Sequence, residues 1–160
     1  MRRSKLQILA KKTHRFGCDI LSDRAGSPAV EFALIAPLLF ALMMGIIQIG
    51  IIFNNYVELI DGVRSGSRNL AISRSTTTPW TTSTAAVTAS AANLTAANVV
   101  ITLKVNGVAC TSDATCVTAL STAAGEPASV SATYPCNLSI MGINYATSCS
   151  LSSQSTERIE

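Results

Sequence analysis

The chain has 160 residues, 13% of them charged and 48% hydrophobic, a balance too apolar for one ordinary soluble domain. Seven of its 12 basic residues, Arg2, Arg3, Lys5, Lys11, Lys12, Arg15 and Arg24, fall in the first 26 positions with only Asp19 and Asp23, so that segment carries +5 and the remainder −2. A basic cluster directly before an apolar run is explained by membrane topology and anionic head groups, which sets aside nucleic acid as a partner.

The apolar run is Phe32 to Phe53, 22 residues without a charge and with Gln48 as the main polar interruption. At roughly 1.5 Å per residue it makes a helix of about 33 Å, enough to cross a hydrocarbon core of about 30 Å. The positive-inside rule puts the N-terminus in the cytoplasm and exports the chain beyond about residue 54. An ordinary secretory cleavage site is missing after the run, where Asn54, Asn55, Tyr56, Val57 and Glu58 follow. A lipoprotein reading of Cys18 fails because His14, Arg15, Phe16 and Gly17 before it are not an apolar signal.

The leader ends instead in Arg24-Ala25-Gly26-Ser27, and a lone carboxylate, Glu31, follows Gly26 by five positions. This is the pattern of prepilin-type signals, which membrane aspartyl peptidases cut before the apolar segment. Glycine offers no side chain to obstruct a protease holding the chain extended. Gly26 is then the last leader residue and Ser27 the new N-terminus. A carboxylate placed centrally in a span costs about 2.5–3.5 kcal/mol on insertion scales, so Glu31 needs a partner. Two readings stay open: pairing with the freed α-amine of Ser27, its own or a neighbour's, and a position at head-group level that favours the helix N-terminus.

The stretch RAGSPAVEFALIAPLLFALMMGIIQIG (residues 24–50), with Asp61-Gly62-Val63-Arg64-Ser65-Gly66-Ser67-Arg68 after it, closely resembles the N-terminal signature of the TadE-like family. The resemblance covers about residues 24–72; Gln48 departs from it where an acidic residue is common, as do Ser65 and Ser67 around Gly66. It implies a minor pseudopilin, a structural assembly factor of the Tad (Flp, type IVc) pilus in the bacterial inner membrane. The implied partners are a prepilin peptidase, other pilins or pseudopilins such as a TadF-like protein and the Flp pilin, the inner-membrane assembly platform and membrane lipid. The rival readings are a TadF- or TadG-like component of the same system and an unrelated signal-anchored envelope or adhesion module.

Within the span, Pro37 removes one backbone donor and predicts a kink. Gly45 and Gly50 are five apart rather than the four of the helix-dimer motif. Leu59, Ile60, Val63 and Leu70 continue an imperfect apolar stripe and carry the helix to about Ile72. From Ser73 the composition turns to Ser, Thr and Ala; Ser75 to Trp80 reads as a loop, and Thr84 to Asn98 as a weak second helix. Val99 to Val105 reads as a strand ending in an Asn106-Gly107 hairpin turn, with further strands at Ser129–Tyr134 and Cys149–Arg158. The expected fold class is α+β. A leader (1–26), a transmembrane helix (27–54) and a helical stalk (55–73) precede an exported head with a short antiparallel sheet (74–160).

Cys110, Cys116, Cys136 and Cys149 all follow the span, and three pairings are open to them. Local pairing of Cys110 with Cys116 and Cys136 with Cys149 is favoured because each closes a short loop. The Cys-x-x-Cys spacing of a zinc site is missing, so no metal and no cofactor are expected. The one histidine, His14, lies in the leader, and the carboxylates Asp113, Glu126, Glu157 and Glu160 show no acid/base spacing. No catalytic residue is assigned and the chain is not read as an enzyme.

Overall fold

The structure, a computed structural model, describes residues 27–136, 138–140, 142–146 and 148–160; the basic leader, with Gly26, Cys18 and His14, lies outside the described residues. The chain divides into two units, Met1–Met43 and Met44–Glu160. The boundary falls within α1, the 46-residue helix Ser27–Ile72, which contains Pro37. Its apolar stretch is rich in Leu, Ile, Met and Ala. Such a run favours helix because these residues are among the stronger helix formers, and in hydrocarbon a helix would also satisfy every backbone group within the segment.

In the second unit the C-terminal turns of α1 become the central helix of a small core. Leu59, Val63 and Leu70 are fully buried and Ile60 half-buried, while Asp61, Arg64 and Arg68 stay exposed on the opposite face. Gly62 and Gly66, one helical turn apart, are buried between them. Against these glycines lies α2, Pro79–Ser90. A Cβ on Gly62 would stand 2.8 Å from the Val87 carbonyl oxygen and 3.3 Å from the Ala91 Cβ. One on Gly66 would collide with Val87 Cγ2 and stand 3.3 Å from the Ser83 carbonyl oxygen. The two helices run antiparallel, as the pairing of Gly62 with Ala91 and Gly66 with Ser83 requires.

The start of α2 corrects the expected loop over Ser75–Trp80. Pro79 and Trp80 are its first residues, since proline's missing N–H falls where a helix has no partner for it anyway. Its end corrects the expected helix to Asn98. The chain leaves the helix after Ser90, and a 3-10 turn, Ala96–Asn98, leads into the sheet.

The sheet is antiparallel, in the order β2-β1-β3-β6. Its strands are β1 (Val100–Val105), β2 (Val108–Cys110), β3 (Pro127–Pro135) and β6 (Ser150–Arg158); β4 (Ser139–Ile140) and β5 (Ile143–Asn144) form a separate hairpin. Asn106 and Gly107 have φ of 49° and 79° between β1 and β2, the left-handed pair that a two-residue hairpin turn requires. Leu103, Val105, Ala128, Val130 and Ala132 alternate onto the buried face, toward α1 and α2.

Sequence reading missed β2 and α3, Asp113–Ser121. The signal for α3 was a capping box: Ser112 Oγ accepts the Thr115 N–H while Thr115 Oγ1 accepts that of Ser112. Disulfides join Cys110 of β2 to Cys116 of α3, and Cys136 to Cys149 across the loop that carries β4 and β5.

Gly62→Ala and Gly66→Ala are each expected to destabilise the folded unit by about 1–3 kcal/mol through overpacking, whereas Gly45→Ala, which meets open space, leaves it unchanged. Thermal unfolding of the detergent-solubilised chain measures both. Replacing Cys136 and Cys149 together by serine removes a closed loop of 13-residue separation and should lower stability by about 3 kcal/mol. Denaturant midpoints compared at equal slope give that value.

Candidate functional site

The N-terminal part of α1 presents what no soluble core would leave in water. Phe32, Leu34, Phe40, Ile46 and Phe53 are all exposed, Leu34 to 75%. A contiguous apolar surface of this size is unusual on a water-facing monomer and has the length and composition of a membrane span. Among the described residues this is the one helix long and apolar enough to cross a membrane, and it lies near the N-terminus.

Ser27 opens α1 and Glu31, exposed, comes four residues later. Residues i and i+4 share a helix face, displaced by about 6 Å along the axis. An α-amine at Ser27 would thus lie over the same face as the Glu31 carboxylate. Pro37 sits inside α1 six residues beyond Glu31 and leaves the Ala33 carbonyl without its usual i+4 donor.

Beyond the apolar stretch, two carboxylates tie neighbouring elements of the second unit at its surface. Glu58 accepts hydrogen bonds from Asn54 Nδ2 at 3.0 Å, Asn93 Nδ2 at 2.5 Å and the Asn93 backbone N–H at 3.1 Å. It so clamps the segment after α2 to α1. The Asn93 amide, chiefly, holds the Glu58 carboxyl below the usual carboxylate range. Asp113 accepts the Thr81 hydroxyl at 2.6 Å and the Thr81 N–H at 2.9 Å, capping α2 from the first turn of α3. The Thr81 hydroxyl is the main cause of its lowered pKa. Between α1 and β6, Ser67 Oγ donates to Ser155 Oγ at 3.0 Å.

With that geometry in place, the comparison with protein families bears on one stretch of chain. Residues 26–68 match the family model of the TadE-like proteins. The match begins at the glycine before α1, runs through Glu31, Pro37 and the exposed apolar face, and ends past Gly62 and Gly66. Comparisons with curated proteins and with solved structures return no match. The TadE-like match associates the chain with the Tad pilus and with a structural role.

Of the residues singled out in the sequence, Glu31 and Pro37 lie in the exposed part of the TadE-like segment, and Gly26 lies outside the described residues. The four cysteines form the two disulfides of the second unit. Among the described residues no cluster of three or more His, Cys, Asp or Glu is placed to hold a metal ion. Glu58, Asp113 and the Gly62–Gly66 step were missed as structural determinants. The four-residue spacing of the two glycines was the signal in the last case; neither carboxylate has one, because its partner is remote in sequence.

Both carboxylates have folded pKa values below their unfolded ones. Their contribution to stability is therefore full above the unfolded pKa and is lost as pH falls through the folded one. The chain should accordingly lose stability as pH falls through and below the ordinary carboxylate range. Glu58→Gln should flatten that profile, as read by thermal unfolding at stepped pH.

Proposed function

We propose that the chain is a minor pseudopilin of the Tad (Flp) pilus, a structural assembly factor cut by a prepilin peptidase between Gly26 and Ser27. The observation that carries this reading is the TadE-like match over residues 26–68, laid on a helix whose apolar residues are exposed from Val30 onward. Cleavage before α1 leaves the helix in the product, so the mature subunit keeps its anchor while gaining a free amine at Ser27. That amine, its own or a neighbour's, neutralises Glu31 at the edge of the span. A carboxylate left unpaired there would oppose helix packing in lipid.

In this reading α1 crosses the inner membrane with its basic leader in the cytoplasm and the second unit exported, where an oxidising compartment sustains both disulfides. The partners are the prepilin peptidase, pilins or pseudopilins including a TadF-like protein and the Flp pilin, the inner-membrane platform and lipid. A prepilin-type cut also separates this role from that of an ordinary signal-anchored envelope module, which keeps its leader.

The N-terminus of the protein from membranes, read by mass spectrometry with and without a prepilin peptidase, tests the proposal. The expected mature chain starts at Ser27, and Gly26→Leu should leave only the precursor. An intact Met1 in peptidase-competent cells would overturn pseudopilin processing. Glu31→Ala should be cleaved normally yet reduce surface pili severely, and normal piliation in that variant would remove the amine-pairing role.

A further inference from the structure

The sheet ends in two edges of unlike character. On one side β2 is three residues long, and the Cys110–Cys116 disulfide ties it to α3. On the other, β6 runs nine residues and pairs with β3 in one unbroken register, from Pro127 opposite Arg158 to Pro135 opposite Ser150. Bonds just beyond the ladder set its phase: the Cys136 N–H donates to the Cys149 carbonyl, and the Ile159 N–H to the Glu126 carbonyl. Because antiparallel pairs alternate, Leu151, Ser153, Ser155 and Glu157 bond to β3. The N–H and C=O groups of Ser150, Ser152, Gln154, Thr156 and Arg158 therefore point away from the sheet.

Those five residues are exposed, and among the described residues their outward backbone groups meet no backbone partner. The next outward group along the same edge is taken, since the Glu160 N–H donates to the Ala71 carbonyl of α1 at 3.2 Å. An open edge of about 27 Å remains. Natural sheets blunt such edges with lysine, proline, a bulge or brevity. From Ser150 to Glu157 this strand has none of these, and its one cation, Arg158, is at the far end.

We propose that the β6 edge receives an extended strand from another exported polypeptide, which becomes the fifth strand of the sheet. The outward main-chain groups supply the attachment. The flanking side chains, Ser152, Gln154 and Thr156 on the exposed face, suit a neutral strand of hydroxyl and β-branched residues. A second copy of this chain does not fit. Antiparallel copies joined at β6 would be related by a two-fold axis normal to the sheet. The membrane-distal turns of α1 lie against the inner face of that sheet, where Ser67 meets Ser155. Within the second unit the axis would then reverse the stretch 44–72 of one copy's α1 relative to the other's, which the single membrane and single export direction proposed above do not allow. Parallel copies would form no closed pair. The inference rests on the proposed export of the second unit and holds whether or not the leader is cleaved.

Amide hydrogen exchange on the full chain in nanodiscs tests it, with a capped peptide of alternating threonine and valine as the probe. The outward amides of Ser152, Gln154 and Thr156 should exchange freely in the protein alone and slow by about tenfold or more with millimolar peptide. Gln154→Pro deletes one outward donor while sparing the inward bonds of Ser153 and Ser155, and Thr156→Lys adds an edge charge. Each should abolish the slowing while the Ser153 and Ser155 amides stay protected; should the proline variant fail to fold, the lysine variant decides. The proposal is overturned by outward amides already protected without peptide, by no slowing at millimolar peptide, or by slowing that survives these variants. Protection that instead rises with protein concentration alone would assign the edge to a second copy.

Discussion

The second unit depends on how closely two helix backbones approach at Gly62 and Gly66 of α1. Without side chains at these positions, α2 sits near enough for its Val87 carbonyl to lie 2.8 Å from where a Gly62 Cβ would be. That proximity makes Val87, Ala91 and Leu94 part of the same core as Leu59, Val63 and Leu70. It also decides where the sheet can lie, since Val130 of β3 comes within 3.6 Å of a Cβ on Gly66. Larger residues would separate the helices and open the core beneath them.

One helix therefore carries two surface patterns. Up to about Val57 nearly all its large apolar residues are exposed; from Leu59 to Leu70 they turn inward and the charges, Asp61, Arg64 and Arg68, turn outward, with Ile72 exposed at the helix end. The apolar positions change from all round the helix to one stripe, which is the pattern change expected where lipid gives way to a packed protein core. The TadE-like match over residues 26–68 spans both regimes, covering the exposed run and the two docking glycines.

The remainder of the second unit is built from small side chains. Alanine accounts for Ala91, Ala123, Ala128 and Ala132 of its buried core, and each contributes less apolar area than a leucine would. Covalent and polar ties make up for this. The two disulfides restrict the unfolded chain, and Asp113 and Glu58 satisfy backbone donors at the start of α2 and just after its end. Such a core tolerates few vacancies, because a marginal domain has little stability to lose.

The apolar run and the stripe after it determined the membrane-length helix, its place near the N-terminus and its continuation to Ile72. Those features depend on uninterrupted hydrophobicity and local helix preference, which need no distant partner. Likewise the β1 strand and its Asn106-Gly107 turn were legible, since a two-residue turn is encoded where it occurs. Tertiary structure decided the rest. Thr84 to Asn98 reads as one weak helix, yet the chain exits after Ser90 and Glu58, 35 residues upstream, binds Asn93. Four cysteines admit three connectivities, and the folded chain holds the one in which each bridge closes a short loop, Cys110 with Cys116 and Cys136 with Cys149. The glycines Gly62 and Gly66 look like ordinary helix weak points until α2 lies against them. Spacing along the chain reports local backbone preference; which surfaces come together depends on contacts between residues far apart in it.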